Sequence, residues 1–131
     1  MKSSDMADDF RSWALFSIRG HIIPEQITRE LELQPDRVYH DGQERVWQIN
    51  STLGALETTE NHFHQLLDKL LPRAQVVRKL AQAHRAEFYC FLEKPADMSL
   101  PISLSPRILM LCGYLRAYVD VEVKDFDQKP G

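Results

Sequence analysis

The chain is 131 residues long, 44% apolar and 27% charged, proportions of an ordinary folded domain that exclude a disordered, collagen-like or low-complexity chain. Its 19 acidic and 16 basic residues leave a net charge of −3 with neutral histidines, so no overall positive field exists to gather nucleic acid or an anionic membrane. Two cysteines are too few for a disulfide framework, no apolar run reaches the roughly 18 residues that span a bilayer, and the start Met1-Lys2-Ser3-Ser4-Asp5 lacks the apolar stretch of a signal peptide. These features predict one reduced, cytoplasmic domain over residues 13–124 with flexible tails at 1–12 and 125–131.

Trp13 to Gly20 alternates, Ala14, Phe16 and Ile18 against Trp13, Leu15, Ser17 and Arg19, the period of a strand. Pro24 suits a first helical position, and Ile23, Ile27 and Leu31 follow at spacing four, which predicts a helix from Pro24 to about Leu33. Gln34 to Arg45, with Pro35, Asp36, Asp41 and Gly42, reads as a loop with Asp-Gly turn chemistry. Val46 to Ser51 reads as a strand with Trp47 and Ile49 facing inward, Trp47 beside Phe16 and Phe88. Phe63, Leu66, Leu67, Leu70 and Leu71 give the clearest helical period, capped by Thr58 or Thr59 and broken at Pro72. Val76, Val77, Leu80 and Ala81 renew it, so residues 59–84 form a helical pair or a kinked helix. Ala86 to Glu93 is a central strand, Phe88, Cys90 and Leu92 on one side and Tyr89 and Phe91 on the other. A short strand is expected around Pro101 to Leu104, then a helix entered through Ser105-Pro106 and ended by Gly113. Arg116 to Lys124 is the last strand, with Val119, Val121 and Val123 inward.

The order predicts an α/β (α+β) fold: a ferredoxin-like split βαβ sheet of four to five strands with an inserted helical hairpin. Several segments carry a family resemblance in fixed order: Phe16-Ser17-Ile18-Arg19-Gly20, Ile23 to Thr28, Leu31-Glu32-Leu33-Gln34-Pro35, Asp41-Gly42, Arg45 to Ser51, and Leu109 to Val123. Over residues 13–124 the chain resembles the bacterial "domain of unknown function 4279" family. The resemblance implies a small standalone bacterial cytoplasmic protein with no assigned chemistry, among relatives that look like accessory or immunity-type binding proteins.

Catalytic and metal chemistry find little support in the residue pattern. His62 and His64 lie two apart on a helix and point in different directions, so they cannot share an ion, whereas His64 and Asp68 at i,i+4 could. Neither a Cys-x-x-Cys nor a His-Glu-x-x-His spacing occurs. His21, His40, His62, His64 and His84 are expected to be solvated or capping residues, and Cys90 and Cys112 inert core thiols. Ser17, Ser51 and Ser105 sit in no nucleophile elbow, and the five glycines form no phosphate loop. No cofactor, metal or catalytic residue is therefore assigned.

Binding is better supported. Lys69, Arg73, Arg78, Lys79 and Arg85 form a basic stretch, read first as the solvated side of a helix and second as a dock for an acidic partner. The segment Arg37, Tyr39, His40, Asp41, Glu44 and Arg45 crowds ionisable groups beside Trp47. Strand alternation also puts Trp13, Leu15, Tyr89, Phe91 and Tyr118 on a second sheet face, too apolar to stay bare: the helical pair covers it, or a protein partner or second copy does. Stacked bases could occupy such aromatics, but the acidic chain lacks the matching RNA-recognition strand, so nucleic acid is not expected. The leading reading is a non-enzymatic protein-binding module, immunity-type or regulatory, with Arg37, Tyr39, His40, Arg45, Trp13, Tyr89, Phe91 and Tyr118 as binding residues. The alternative is a small-ligand binder or enzyme in which Arg37, His40 and Arg45 converge with His21.

Overall fold

A computed structural model describes residues 10–126. The tails expected at 1–12 and 125–131 fall largely outside that range, and the first strand, β1 (Arg11–Gly20), begins two residues before Trp13. Next come α1 (Pro24–Leu31), β2 (Arg37–Asp41), β3 (Glu44–Asn50), α2 (Thr59–Leu70), a 3-10 turn (Leu71–Arg73), α3 (Ala74–Ala83), β4 (Arg85–Lys94), α4 (Pro106–Tyr114) and β5 (Tyr118–Asp125). The five strands form one mixed sheet in the order β2-β3-β1-β4-β5, antiparallel except for the β4–β5 pair.

The α+β class, four of the five strands and the helical pair stand as the sequence predicts. The pairing differs in detail from a split βαβ layout. β4 and β5 are direct parallel neighbours joined through α4, whereas β1 and β3 run antiparallel because β2 intervenes as a hairpin.

That hairpin corrects the reading of residues 34–45 as a loop. Arg37 to Asp41 pairs with Glu44 to Gln48, and Gly42 (φ 66°) takes the first position of a two-residue turn that favours glycine. Three further expectations shift. Pro101 to Leu104 is not a strand; Ile102 and Leu104 are apolar because they pack on the core from irregular chain. α1 stops at Leu31 because Glu32 turns left-handed (φ 57°) and closes a bond from Leu33 N–H to Thr28 O. α4 runs past Gly113, and Arg116 (φ 63°) takes the left-handed position instead.

The core lies between the sheet and all four helices. Phe16 and Phe88 pair across β1 and β4 with ring centroids 5.0 Å apart, and Phe63 of α2 stacks on Phe88 at 5.4 Å. Trp47 is fully buried, as expected, although its strand neighbour is Ile18 and its indole N–H donates to Thr28 Oγ1 at 3.0 Å. A polar seam crosses this apolar layer: Ser12 Oγ meets Thr59 Oγ1 at 3.0 Å, and Ser51 Oγ meets His62 Nδ1 at 2.6 Å. The helical pair therefore packs on the Phe16 and Phe88 side, and no described helix lies over the other side of the sheet.

Candidate functional site

Alternation along the strands builds the helix-free face. β1 contributes Trp13, Leu15, Ser17 and Arg19, and its register places Phe91, Tyr89, Glu87 and Arg85 of β4 opposite them. On the other side Leu15 meets Asn50, Ser17 meets Gln48, and Gln48 in turn meets Arg37 of β2. Tyr118, Asp120 and Glu122 of β5 complete the face beside Glu87, Tyr89 and Phe91.

Two adjoining hollows occupy it. The first, of about 280 Å³, is walled by Trp13, Leu15, Tyr89 and Phe91 and reaches Asn50 and Ser51 at the strand ends. The second, of about 290 Å³, shares Leu15, Gln48 and Tyr89 with the first but is otherwise polar, lined by Ser17, Arg19, Arg37, Tyr39 and Glu87. One end of the trough is therefore aromatic and the other ionic.

Most charges in the trough are already matched. Arg19 pairs with Asp41 and stands 3.9 Å from Glu44; Arg85 reaches Asp120 at 3.1 Å and Glu87 at 3.6 Å while lying 3.8 Å above the ring of Tyr118. Tyr89 donates to Glu122, and burial together with that carboxylate pushes its phenol up to about 12. Glu87 is the exception to ordinary ionisation. Burial, reinforced by the neighbouring Asp120 carboxyl, raises it to about 7 against the pull of Arg85 and Arg19. Asp120 moves the other way, lowered chiefly by its hydrogen bond with Glu87 and then by Arg85. Arg37 has no carboxylate or hydrogen-bond partner among the described residues; its guanidinium sits 4.1 Å over the ring of Tyr39.

Of the residues singled out from the sequence, the structure brings Trp13, Tyr89, Phe91, Tyr118, Arg37 and Tyr39 onto this one face. His40 and Arg45 alternate to the opposite side of β2 and β3. His21 lies elsewhere, beside a hollow of about 140 Å³ lined with Ile22, Gln26, Leu80 and His84. The convergence of Arg37, His40, Arg45 and His21 on which the enzyme alternative depends is thus absent from the described residues, because successive strand residues point to opposite faces.

Other candidates resolve simply. His64 Nδ1 lies 3.4 Å from Asp68 on the exposed side of α2, and no group of three or more potential metal ligands occurs among the described residues. In the basic stretch Arg73 pairs with Glu32, Arg78 holds the Tyr114 carbonyl and ring, and Arg85 belongs to the sheet face. His62 corrects the expectation of solvated histidines: it is fully buried, and desolvation lowers its pKa. Its place one turn before Leu66 on the apolar stripe was the available clue. Glu87 was also missed. Its partner Asp120 is 33 positions on and becomes its neighbour only through the parallel β4–β5 pairing.

A family model, "Domain of unknown function (DUF4279)", matches residues 9–126. The chain belongs to this family. The match runs from the start of β1 to the end of β5, so the sheet and its helix-free face lie wholly within the family domain. No curated protein and no solved structure matches the chain. No described helix is long and apolar enough to cross a membrane.

Proposed function

We propose that this DUF4279 domain is a non-enzymatic protein-recognition module that holds its partner on the helix-free face of the sheet. The observation that carries this reading is the meeting of Trp13, Leu15, Tyr89 and Phe91 around one hollow that no described helix covers. Such a face has the composition of interface hot spots, aromatic at the centre with arginines at its margin. An immunity-type protein that neutralises its target by covering it, and a regulatory protein that masks a surface, are both forms of this mechanism. A bacterial, cytoplasmic setting belongs to the same reading, and the free, buried thiols of Cys90 and Cys112 suit its reducing compartment, since oxidising compartments favour paired cysteines. Nucleic acid is served less well, because Arg19 and Arg85 already hold carboxylates.

The test is comparative capture from the native cell, using the full chain as bait beside two variants, Tyr89→Asp on the open face and Lys79→Asp on α3. A protein retained by the wild type and by Lys79→Asp but lost with Tyr89→Asp supports the reading, provided circular dichroism shows that both variants are folded. Equal recovery by all three baits, or by none, overturns it.

A further inference from the structure

The two hollows of the trough, of about 280 and 290 Å³, adjoin and share Leu15, Gln48 and Tyr89. Together they fall in the range of roughly 300–1,000 Å³ typical of small-molecule sites, with the apolar walls and few convergent polar groups usual there. Their floor is enclosed. Ser17 is 4% exposed and Gln48 7%, although no described helix lies over them, because long side chains of the neighbouring strands wall them in. Gln48 is fixed by its bond to Asn50 at 2.7 Å, whereas the Ser17 hydroxyl lines the second hollow with no hydrogen-bond partner among the described residues. Ser17 and Arg37 stand in one row of the sheet with Gln48 between them, about 10 Å apart at ~4.8 Å per strand, a gap that the long arginine side chain and one ligand group can bridge. Arg37 has no carboxylate partner among the described residues, and stacking on Tyr39 leaves the edge of its guanidinium able to donate. One unmatched cation balances one negative charge, a carboxylate rather than a phosphate dianion. Glu87 adds no charge of its own below about pH 7, where it keeps its proton.

The apolar end is closed by Trp13 and Phe91, whose ring centroids are 5.6 Å apart, so these rings meet each other and a guest ring lies beside them, above Leu15 and against Tyr89. The residues lining the two hollows centre two to three positions apart along β1, about 8 Å at ~3.3 Å per residue. We propose that the trough is a binding site for a small aromatic carboxylic acid, its ring above Leu15 and its carboxylate between Ser17 and Arg37, the two joined by a short alkyl chain. Such a ligand lies on the floor of the trough and needs no protein at its rim.

The test titrates the isotope-labelled full chain at pH 6 with 4-phenylbutyrate, its primary amide and phenylacetate, and follows amide shifts. Extended 4-phenylbutyrate spans both hollows. It should move the signals of Leu15, Ser17 and Tyr89 and bind about tenfold tighter than its uncharged amide, and tighter than phenylacetate, whose chain is too short to reach both ends. Arg37→Gln should remove the advantage of acid over amide while leaving the spectrum otherwise native. Equal affinity of acid and amide, no saturable shift at millimolar acid, or shifts confined to other surfaces overturns the site, and a preference for the acid that survives in Arg37→Gln overturns the placement of the carboxylate. None of these results touches the recognition face, which the capture comparison with Tyr89→Asp decides separately.

Discussion

Trp13 and Trp47 lie on opposite faces of the same sheet, one 39% exposed beside Phe91 and the other fully buried with its indole N–H bonded to Thr28. Removing each ring should therefore do different things. Trp47→Ala leaves a large cavity and an unpaired Thr28 hydroxyl and should cost about 3 to 5 kcal/mol. Trp13→Ser should cost about 1 kcal/mol, because its ring keeps much of its contact with water in the folded state. Urea unfolding of the two variants checks the contrast; comparable losses would place both rings in the core.

Glu87 makes the fold sensitive to alkali. Its folded pKa of about 7 stands above the ordinary 4.5, so between those values the native state binds the proton that the unfolded chain releases. Stability should then fall as pH rises from about 4.5 through 7, and Glu87→Gln should remove that slope and raise the melting temperature at pH 8 while changing little at pH 4.5. Thermal melts across this range decide the matter.

His62 acts in the opposite sense. Burial lowers its folded pKa below the ordinary 6.5, so under acid the unfolded chain takes up a proton that the native state refuses. Its contribution is intact above pH 6.5 and is lost progressively below it. In the wild type the two slopes oppose each other over the interval just below pH 6.5. His62→Gln should thus leave a protein whose stability increases on acidification over that interval, and Glu87→Gln one whose stability drops. A wild-type-like profile in either variant would mean that the group does not carry its assigned slope.

Gly20 closes β1 at φ 152°, and a Cβ built there would stand 3.0 Å from Nδ1 of His84. Both the backbone angle and the approach oppose a side chain. Gly20→Ala should destabilise by about 1 to 3 kcal/mol. Pairing it with His84→Ala should recover only the steric part, which a double-mutant cycle measures.

What the sequence made legible follows from which residues face the core. β1, α2 and β4 are readable because one side of each is apolar at the proper period, and the same alternation assigned Trp13, Tyr89 and Phe91 to a shared second face; β5 alternates too, but of the valines expected inward only Val119 packs on the core, while Val121 and Val123 lie exposed on this edge strand. β2 was illegible because Arg-Val-Tyr-His-Asp has no apolar side: this edge strand exists through its pairing with β3 and its glycine turn, with only Tyr39 half-buried. Residues 101–104 misled for the converse reason, since irregular chain packed on a core is as apolar as a strand. At the candidate site, residue types were visible but company was not. Arg37 joins Ser17 across two strand pairings, and Glu87 joins Asp120 through a helical crossover, relationships that depend on strand order and leave no local trace. His40 and Arg45 were grouped with Arg37 by proximity in sequence, which a strand divides between two faces.

The two buried thiols give the molecule a pair of internal clocks. Cys90 lies in the middle of the sheet beneath α2, where its thiol meets Thr59 Oγ1 at 3.7 Å, while Cys112 sits on α4, where burial raises its pKa to about 12. Neither sulfur can react with an alkylating reagent until something opens, and the something differs: α4 lifting from the sheet uncovers Cys112, whereas Cys90 waits for the helical pair to part from β1 and β4. Alkylation rates at the two sites, resolved by peptide mass, would time the departure of one layer separately from the other without adding any foreign probe.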